Sequence, residues 1–266
     1  MDQVQELAPE AGSGQALSRR IKAPALHAVV SAVVAALAAA LVFIAWYPPP
    51  YSRLAGGLSL FLILVGVDLV VGPVLTAVAA DPAKPRRVFL RDLAVILLLQ
   101  IAALSYGLYT LAQARPVILS FEFDRFRVLT ASDIDPVLLA EAPPGLKELS
   151  WTGPRLVAIA KPANRAEFQR SLDLALGGYD VSYIPKSWRD YSASAGEVWS
   201  GAQPLGALLN RYPDQANAVE KMARDAKRPL SDLGFVPVLS RTASGTAVIA
   251  RPDSRIVGFL DVDGFL

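Results

Sequence analysis

Three stretches of this chain are apolar almost without interruption, and the remainder is patterned quite differently. The apolar runs cover residues 23–47, 54–80 and 93–112. A helix needs about 20 such residues to cross a hydrocarbon core of about 30 Å, so each run is long enough to span a bilayer. The first is also too long for the core of a secretory signal, which holds about 7–15 apolar residues. Pro48-Pro49-Pro50 ends the first run and Asp81-Pro82 the second, because proline lacks the backbone donor that a helix needs.

Beyond residue 115 the apolar runs shorten and turn residues separate them. Residues 117–123 (VILSFEF), 126–130 and 156–160 predict strands. A cap at Ser132 or Asp133 predicts a helix through Leu139, and residues 165–176 and 214–227 predict two more. The end reads as an antiparallel meander over 235–241, 246–250 and 256–262, with turns at Ala243-Ser244-Gly245 and Pro252-Asp253-Ser254. Residues 177–203, rich in Tyr, Trp, Ser and Gly, carry no clear period. Strands and helices alternate irregularly, which favours α+β over a parallel α/β sheet. The expected architecture is therefore a membrane protein with three N-terminal transmembrane helices followed by an α+β periplasmic domain ending in an antiparallel β-meander. Its expected divisions are a disordered cytoplasmic tail (1–22), a three-helix transmembrane region (23–114) and the periplasmic domain (115–266).

Charge sets the orientation. Arg19, Arg20 and Lys22 precede the first run, and Lys84, Arg86, Arg87 and Arg91 lie between the second and third. Residues 48–53 carry only Arg53. Basic flanks stay in the cytoplasm, so the N-terminus is expected inside and everything after Arg115 outside, in the periplasm of a bacterial inner-membrane protein. The net charge of +2 gives no reason to expect nucleic acid as a partner.

Composition removes several chemistries. The chain has no cysteine and a single histidine, His27, in the first apolar run. The domain after residue 115 therefore lacks a thiolate nucleophile, a Ser-His-Asp triad and a histidine-based zinc site. No Walker motif or dinucleotide fingerprint occurs, so no nucleotide or other cofactor is expected. Asp261-Val262-Asp263-Gly264 starts like a calcium loop but reads as a terminal strand and turn.

The candidate partner-binding residues lie in and beside the apolar runs. Asp68 sits mid-run, where a charge costs about 2.5–3.5 kcal/mol to insert. It reads either as a relay or partner contact, or as half of a helix–helix hydrogen bond to Gln100, Ser105 or Tyr106 of the third run. Gly72 permits close helix approach, and Pro73 is expected to bend the second helix. Trp46, Tyr47 and Tyr51 around the triple proline read as an interfacial aromatic belt, or as a docking rim for a second membrane-anchored protein. In residues 121–126 (FEFDRF), alternation places Phe121 and Phe123 on one strand face and Glu122 and Asp124 on the other, as on a solvated edge.

Several stretches together resemble one family. WYPPPYSRLAGG (46–57), LFLILVGVDLVVGPVLT (60–76), DLAVILLLQIAALSYGLYTLAQARPV (92–117), FEFDRFRVL, DIDP, WTGPRLVA and RIVGFLDVD are similar to the type IV pilin accessory proteins of the TfpX/TfpZ group. The resemblance runs from about Arg19 onward; the polar tail and residues 177–203 do not match it. It implies an inner-membrane, chaperone-like protein that acts with the major type IV pilin and modulates pilin stability, assembly or pilus function; contact with both the pilin's membrane helix and its periplasmic head is the expected mode of binding. It supplies no catalytic residues, so the chain is expected not to be an enzyme. The alternative is a membrane-anchored periplasmic enzyme or modification-controlling factor acting on pilin.

Overall fold

The computed structural model describes residues 13–80, 84–161 and 180–266, with residues 164, 165, 168, 169, 172 and 176 in the intervening stretch. The helix expected over 165–176 and residues 1–12 of the expected tail fall outside these residues or only partly within them. The chain divides into two compact units. One comprises Met1–Ala40 with Ser59–Thr110, the other Leu41–Leu58 with Leu111–Leu266.

The first unit holds most of each membrane helix, and the second holds the loop between the first two with the helix ends beside it. Helix α1 covers Ser13–Ala40 and passes into a π-helical turn at Leu41–Trp46. A short helix, α2 (Tyr51–Leu54), precedes α3 (Gly57–Ala79), and α4 runs over Arg86–Ala114. Among the described residues three segments are long and apolar enough to cross a membrane: Pro24–Trp46, Gly57–Ala79 and Arg86–Ala114. The chain is a membrane protein with three such helices ahead of a sheet domain. Most of their large apolar side chains point outward, Leu37, Ile63, Val78 and Leu98 among them, as lipid-facing surfaces require. Helix α1 starts well before the apolar run, and α4 is longer than its apolar run at both ends, because the polar flanks can stay helical outside hydrocarbon. Pro73 lies inside α3, which continues past it to Ala79.

The second unit is built on one mixed sheet. Its strands are β1 (Pro116–Glu122), β2 (Arg125–Thr130), β3 (Arg155–Ile159), β4 (Trp188–Asp190), β5 (Gln203–Pro204), β6 (Leu233–Leu239), β7 (Ser244–Ala250) and β8 (Arg255–Leu260). They lie in the order β4-β3-β1-β2-β6-β7-β8, with β5 on β6. The β1–β3 and β2–β6 pairs are parallel and the others antiparallel. Every residue of β1 is buried, as expected of a strand covered on both faces. Residues Leu205–Arg211 form α7 and Ala216–Ala226 form α8, after α5 (Pro136–Leu139) and α6 (Ala195–Ser200). Helices α7 and α8 cover Leu233, Phe235, Val248 and Ala250 on one face, with Leu208 and Val219 between. The closing meander β6-β7-β8 is as the alternation predicts.

Four local expectations need correction. The first meander turn is not Ala243-Ser244-Gly245. It falls at Ser240–Ala243, where the Ser240 amide donates to the Ala243 carbonyl at 3.0 Å, and Ser244 and Gly245 already pair in β7. Phe123 does not share a strand face with Phe121. It sits in the β1–β2 turn with φ 58°, is exposed, and leaves Phe121 alone in the core. Glu122 is not on a solvated edge but buried, for reasons given below. The helix expected to run through Leu139 from Ser132 or Asp133 begins instead at Pro136. A 3-10 turn at Ala131–Asp133 comes first, capped by Thr130, and Asp135 then caps α5.

Candidate functional site

Within the membrane unit the polar side chains fall on one stripe of α3. Asp68, Gly72 and Thr76 are spaced four apart, which places them on one helical face. At one end of the stripe, Gln100 of α4 donates from Nε2 to Asp68 Oδ1 at 2.8 Å. At the other, His27 Nδ1 of α1 shares a 2.5 Å hydrogen bond with Thr76 Oγ1, and both residues are buried. Gly72 lies between. A Cβ there would fall 2.1 Å from Gln100 Nε2 and 3.0 Å from His27 Nε2, so glycine is what lets side chains of α1 and α4 meet over α3. Gln100 Oε1 is buried, and among the described residues nothing donates to it.

The stripe brings together Asp68, Gly72 and Gln100 of the residues singled out from the sequence. Pro73 is the next residue on α3, half-buried. Tyr106 is not part of it: its side chain is 73% exposed, and Ser105 is exposed as well. His27 and Thr76 were missed. The signal was present, because Thr76 repeats the spacing from Asp68 and His27 is the one ionisable group inside the first apolar run.

In the aromatic cluster Tyr47 and Tyr51 are buried and Trp46 is half-buried. The cluster is built into the sheet unit. Tyr47 is fully buried, packs against Gly57 and donates from its hydroxyl to the Leu111 carbonyl at 2.9 Å. Tyr51 and Leu54 are core residues alongside Leu119, Phe121, Phe126, Val236 and Ile249, and the Tyr51 ring meets Phe259 edge-on at 5.8 Å. Trp46 lies 6.3 Å from Trp151, and the Arg115 guanidinium stacks 3.8 Å over the same Trp151 ring. The Leu54 carbonyl accepts from the hydroxyls of Ser240 and Thr242, and Arg53 pairs with Asp261 at 2.9 Å across an exposed rim. The physical reason is burial. The sheet face formed by Phe121, Phe126 and Ile249 needs apolar cover, and the loop provides it. Asp261 is thereby an ion-pair partner of Arg53, and Asp263 accepts from the Phe265 amide at 3.2 Å.

Two further features of the sheet unit carry titratable groups. Glu122 accepts from Arg127 Nε with both oxygens, at 2.9 and 3.0 Å, and Arg127 also reaches Asp180. Burial pushes the Glu122 carboxyl above its usual value, with Arg127 opposing. Burial works against the Arg127 charge, yet the two carboxylates hold its pKa above the usual one. Asp180 in turn caps the turn Val181–Tyr183, so this group fastens the chain back onto the sheet after the third strand. The second feature is a cavity of about 180 Å³ at the ends of β1 and β3, lined by Phe121, Lys161, Ser194, Glu197 and Ser200. Lys161 and Glu197 face each other across it at 3.9 Å. Among the described residues no group of three or more acidic, His or Cys side chains is arranged to hold a metal ion.

Comparison with known proteins adds the family. A model of the Fimbrial assembly protein FimB family matches residues 15–56, which include most of α1 and the loop packed into the sheet. The Fimbrial assembly protein of serogroup I from Dichelobacter nodosus is 31% identical over 245 residues, covering 92% of this chain and 95% of its own length. The serogroup E1 protein of the same organism is 29% identical over the same shares. The protein of serogroups C1 and C2 is 39% identical over 122 residues, 46% of this chain and 91% of its own length. No solved structure matches. Helices, loop and sheet domain thus all fall within a similarity that extends over nearly the full length of a relative, and the chain belongs to the fimbrial assembly protein family, an accessory family of the type IV pilus.

Proposed function

We propose that this protein is an inner-membrane accessory factor that binds the major type IV pilin and governs its stability or assembly, without catalysing a reaction on it. A role in pilus biogenesis follows from the family. The observation that carries the finer reading is the polar stripe of Asp68, Gln100, Thr76 and His27 inside a largely apolar helical unit. Intramembrane polar groups of this kind are costly and mark helix contacts or pathways. With only three membrane-capable helices among the described residues, a helix contact fits better than a pathway.

Binding is read as two-point. The helical unit holds the pilin's membrane helix, and the sheet domain touches its head. Once one contact forms, the other becomes intramolecular, with an effective concentration of about mM, so each contact can be weak enough to release the pilin. The orientation has two supports. Leu41–Leu58 and Leu111–Leu266 belong to one compact unit, which supports reading the first loop and the sheet domain as lying on one side of the bilayer. The basic residues at 19–22 and 84–91 belong to the segments on the other side, which the positive-inside rule assigns to the cytoplasm.

Co-purification of the full-length protein with its pilin in mild detergent tests the reading. Recovery of pilin, reduced by substitutions along the stripe, is expected; failure to recover pilin under any mild condition would sink it. An enzyme acting on pilin predicts something else: replacing Lys161 or Glu197 would abolish a modification while leaving pilin binding intact.

A further inference from the structure

We infer that Asp68 and Gln100 form a docking point for a membrane helix carrying a protonated amine. The inference rests on the reading that the helical unit holds a partner's membrane helix, and it adds what that helix must present.

The argument is a count of donors and acceptors. Asp68 has two carboxylate oxygens and Gln100 one amide oxygen, and the single described donor between them is Gln100 Nε2, bonded to Asp68 Oδ1. Gln100 Oε1 is buried without a described donor. Asp68 makes no ion pair among the described residues; the described lysines and arginines that pair do so elsewhere. Water supplies missing donors at a surface, but hydrocarbon contains none. The site is therefore rich in acceptors, poor in donors and negative in character. Asp68 is only half-buried, so it can be reached from outside the unit. The rails on either side are outward-facing apolar residues, Val67 and Val71 on α3 and Leu97 and Ile101 on α4. A helix that packs along such rails and brings an ammonium to Asp68 supplies both the missing donors and the opposite charge. Intramembrane charges pair with one another for this reason. A hydroxyl-bearing helix offers one donor and no charge, and a carboxylate-bearing helix adds repulsion.

The test uses full-length protein in lipid bilayers and a synthetic leucine-rich transmembrane peptide with one lysine at mid-depth. Association is read by energy transfer between dyes on peptide and protein. Peptides with leucine or glutamate at that position are the comparisons. The lysine peptide is expected to associate about tenfold more strongly than the leucine peptide. That preference should persist in Asp68→Glu, which keeps the carboxylate, and vanish in Asp68→Asn, which keeps a polar side chain of the same size. No lysine preference in the wild type, or an equal preference in Asp68→Asn, would overturn the inference. The pilin reading fails separately. A lysine preference without pilin co-purification sinks only that reading. Pilin co-purification that is indifferent to Asp68→Asn sinks only this inference.

Discussion

Gly72 is the residue over which the membrane unit closes. Nothing larger fits without displacing the Gln100 amide, since a methyl group would sit 2.1 Å from Nε2. Gly72→Ala is therefore expected to break the Asp68–Gln100 bond and destabilise the helical unit by about 1 kcal/mol, the range of polar contacts between membrane helices. A thermal shift in detergent, absent when the same change is made at the open Gly66, checks this. In the sheet domain the sensitive residue is Glu122. Its carboxyl is raised by burial, so the folded state holds its proton to higher pH than the unfolded state does. Stability from this group is thus full below the unfolded value of 4.5 and lost as pH rises through the folded value. Glu122→Gln should flatten that part of the pH profile of thermal unfolding. An unchanged slope would mean that another group carries it. Asp124 acts in the opposite sense, because its hydrogen bond from Arg125 lowers its pKa and stabilises the fold above the carboxylate range.

At the scale of elements, the loop between α1 and α3 behaves as part of the sheet domain rather than of the membrane. Tyr51 and Leu54 are the members of the sheet's core cluster that come from before residue 115. Residues 115–266 produced alone are expected to aggregate or unfold at low denaturant, although their length is ample for a domain. Burying a large side chain is worth about 1.5–3 kcal/mol, and the loop contributes several. Supplying residues 41–58 in tandem should restore a cooperative transition; a stable isolated domain would show that the loop is dispensable. This element also marks the limit of what the sequence reveals. Apolar runs and strict alternation are local signals, so the three helices, β1, β2, β3 and the meander were legible from them. The destination of WYPPPYSRL was not, because its aromatic and proline pattern is the same whether it meets lipid headgroups or a sheet 60 to 200 residues away. Residues 177–203 were opaque for a related reason. Trp188 is held by an irregular local bond from its indole to the Ser182 carbonyl and Tyr191 by a tertiary one from its phenol to that of Ser254, and their strand and turns have no period of their own. At the membrane stripe the pair Asp68–Gln100 was legible from matching depth. The His27–Thr76 bond needed the packing of α1 on α3, which no spacing within one helix encodes.

For the whole molecule, the proposed orientation makes a simple labelling prediction. A cysteine placed at Asp253, exposed in the β7–β8 turn, should react with a membrane-impermeant thiol reagent added outside the inner membrane. One placed at Arg87, exposed at the start of α4, should react only after the membrane is permeabilised. The native chain has no cysteine, so both signals are free of background. The reverse pattern would invert the topology and move the sheet domain to the cytoplasm.

The bonds that anchor the loop also set a timetable for synthesis. The Leu54 carbonyl waits for Ser240 and Thr242, made 186 and 188 residues later. At about 5–20 residues per second, that delay is on the order of ten to forty seconds. For most of it, all three membrane helices are already complete while Tyr51 and Leu54 stand without the closing strands that finish their core. The nascent protein therefore ripens from its last strands backward, and a ribosome that stops shortly before residue 240 leaves the first loop as unfinished as the final turn.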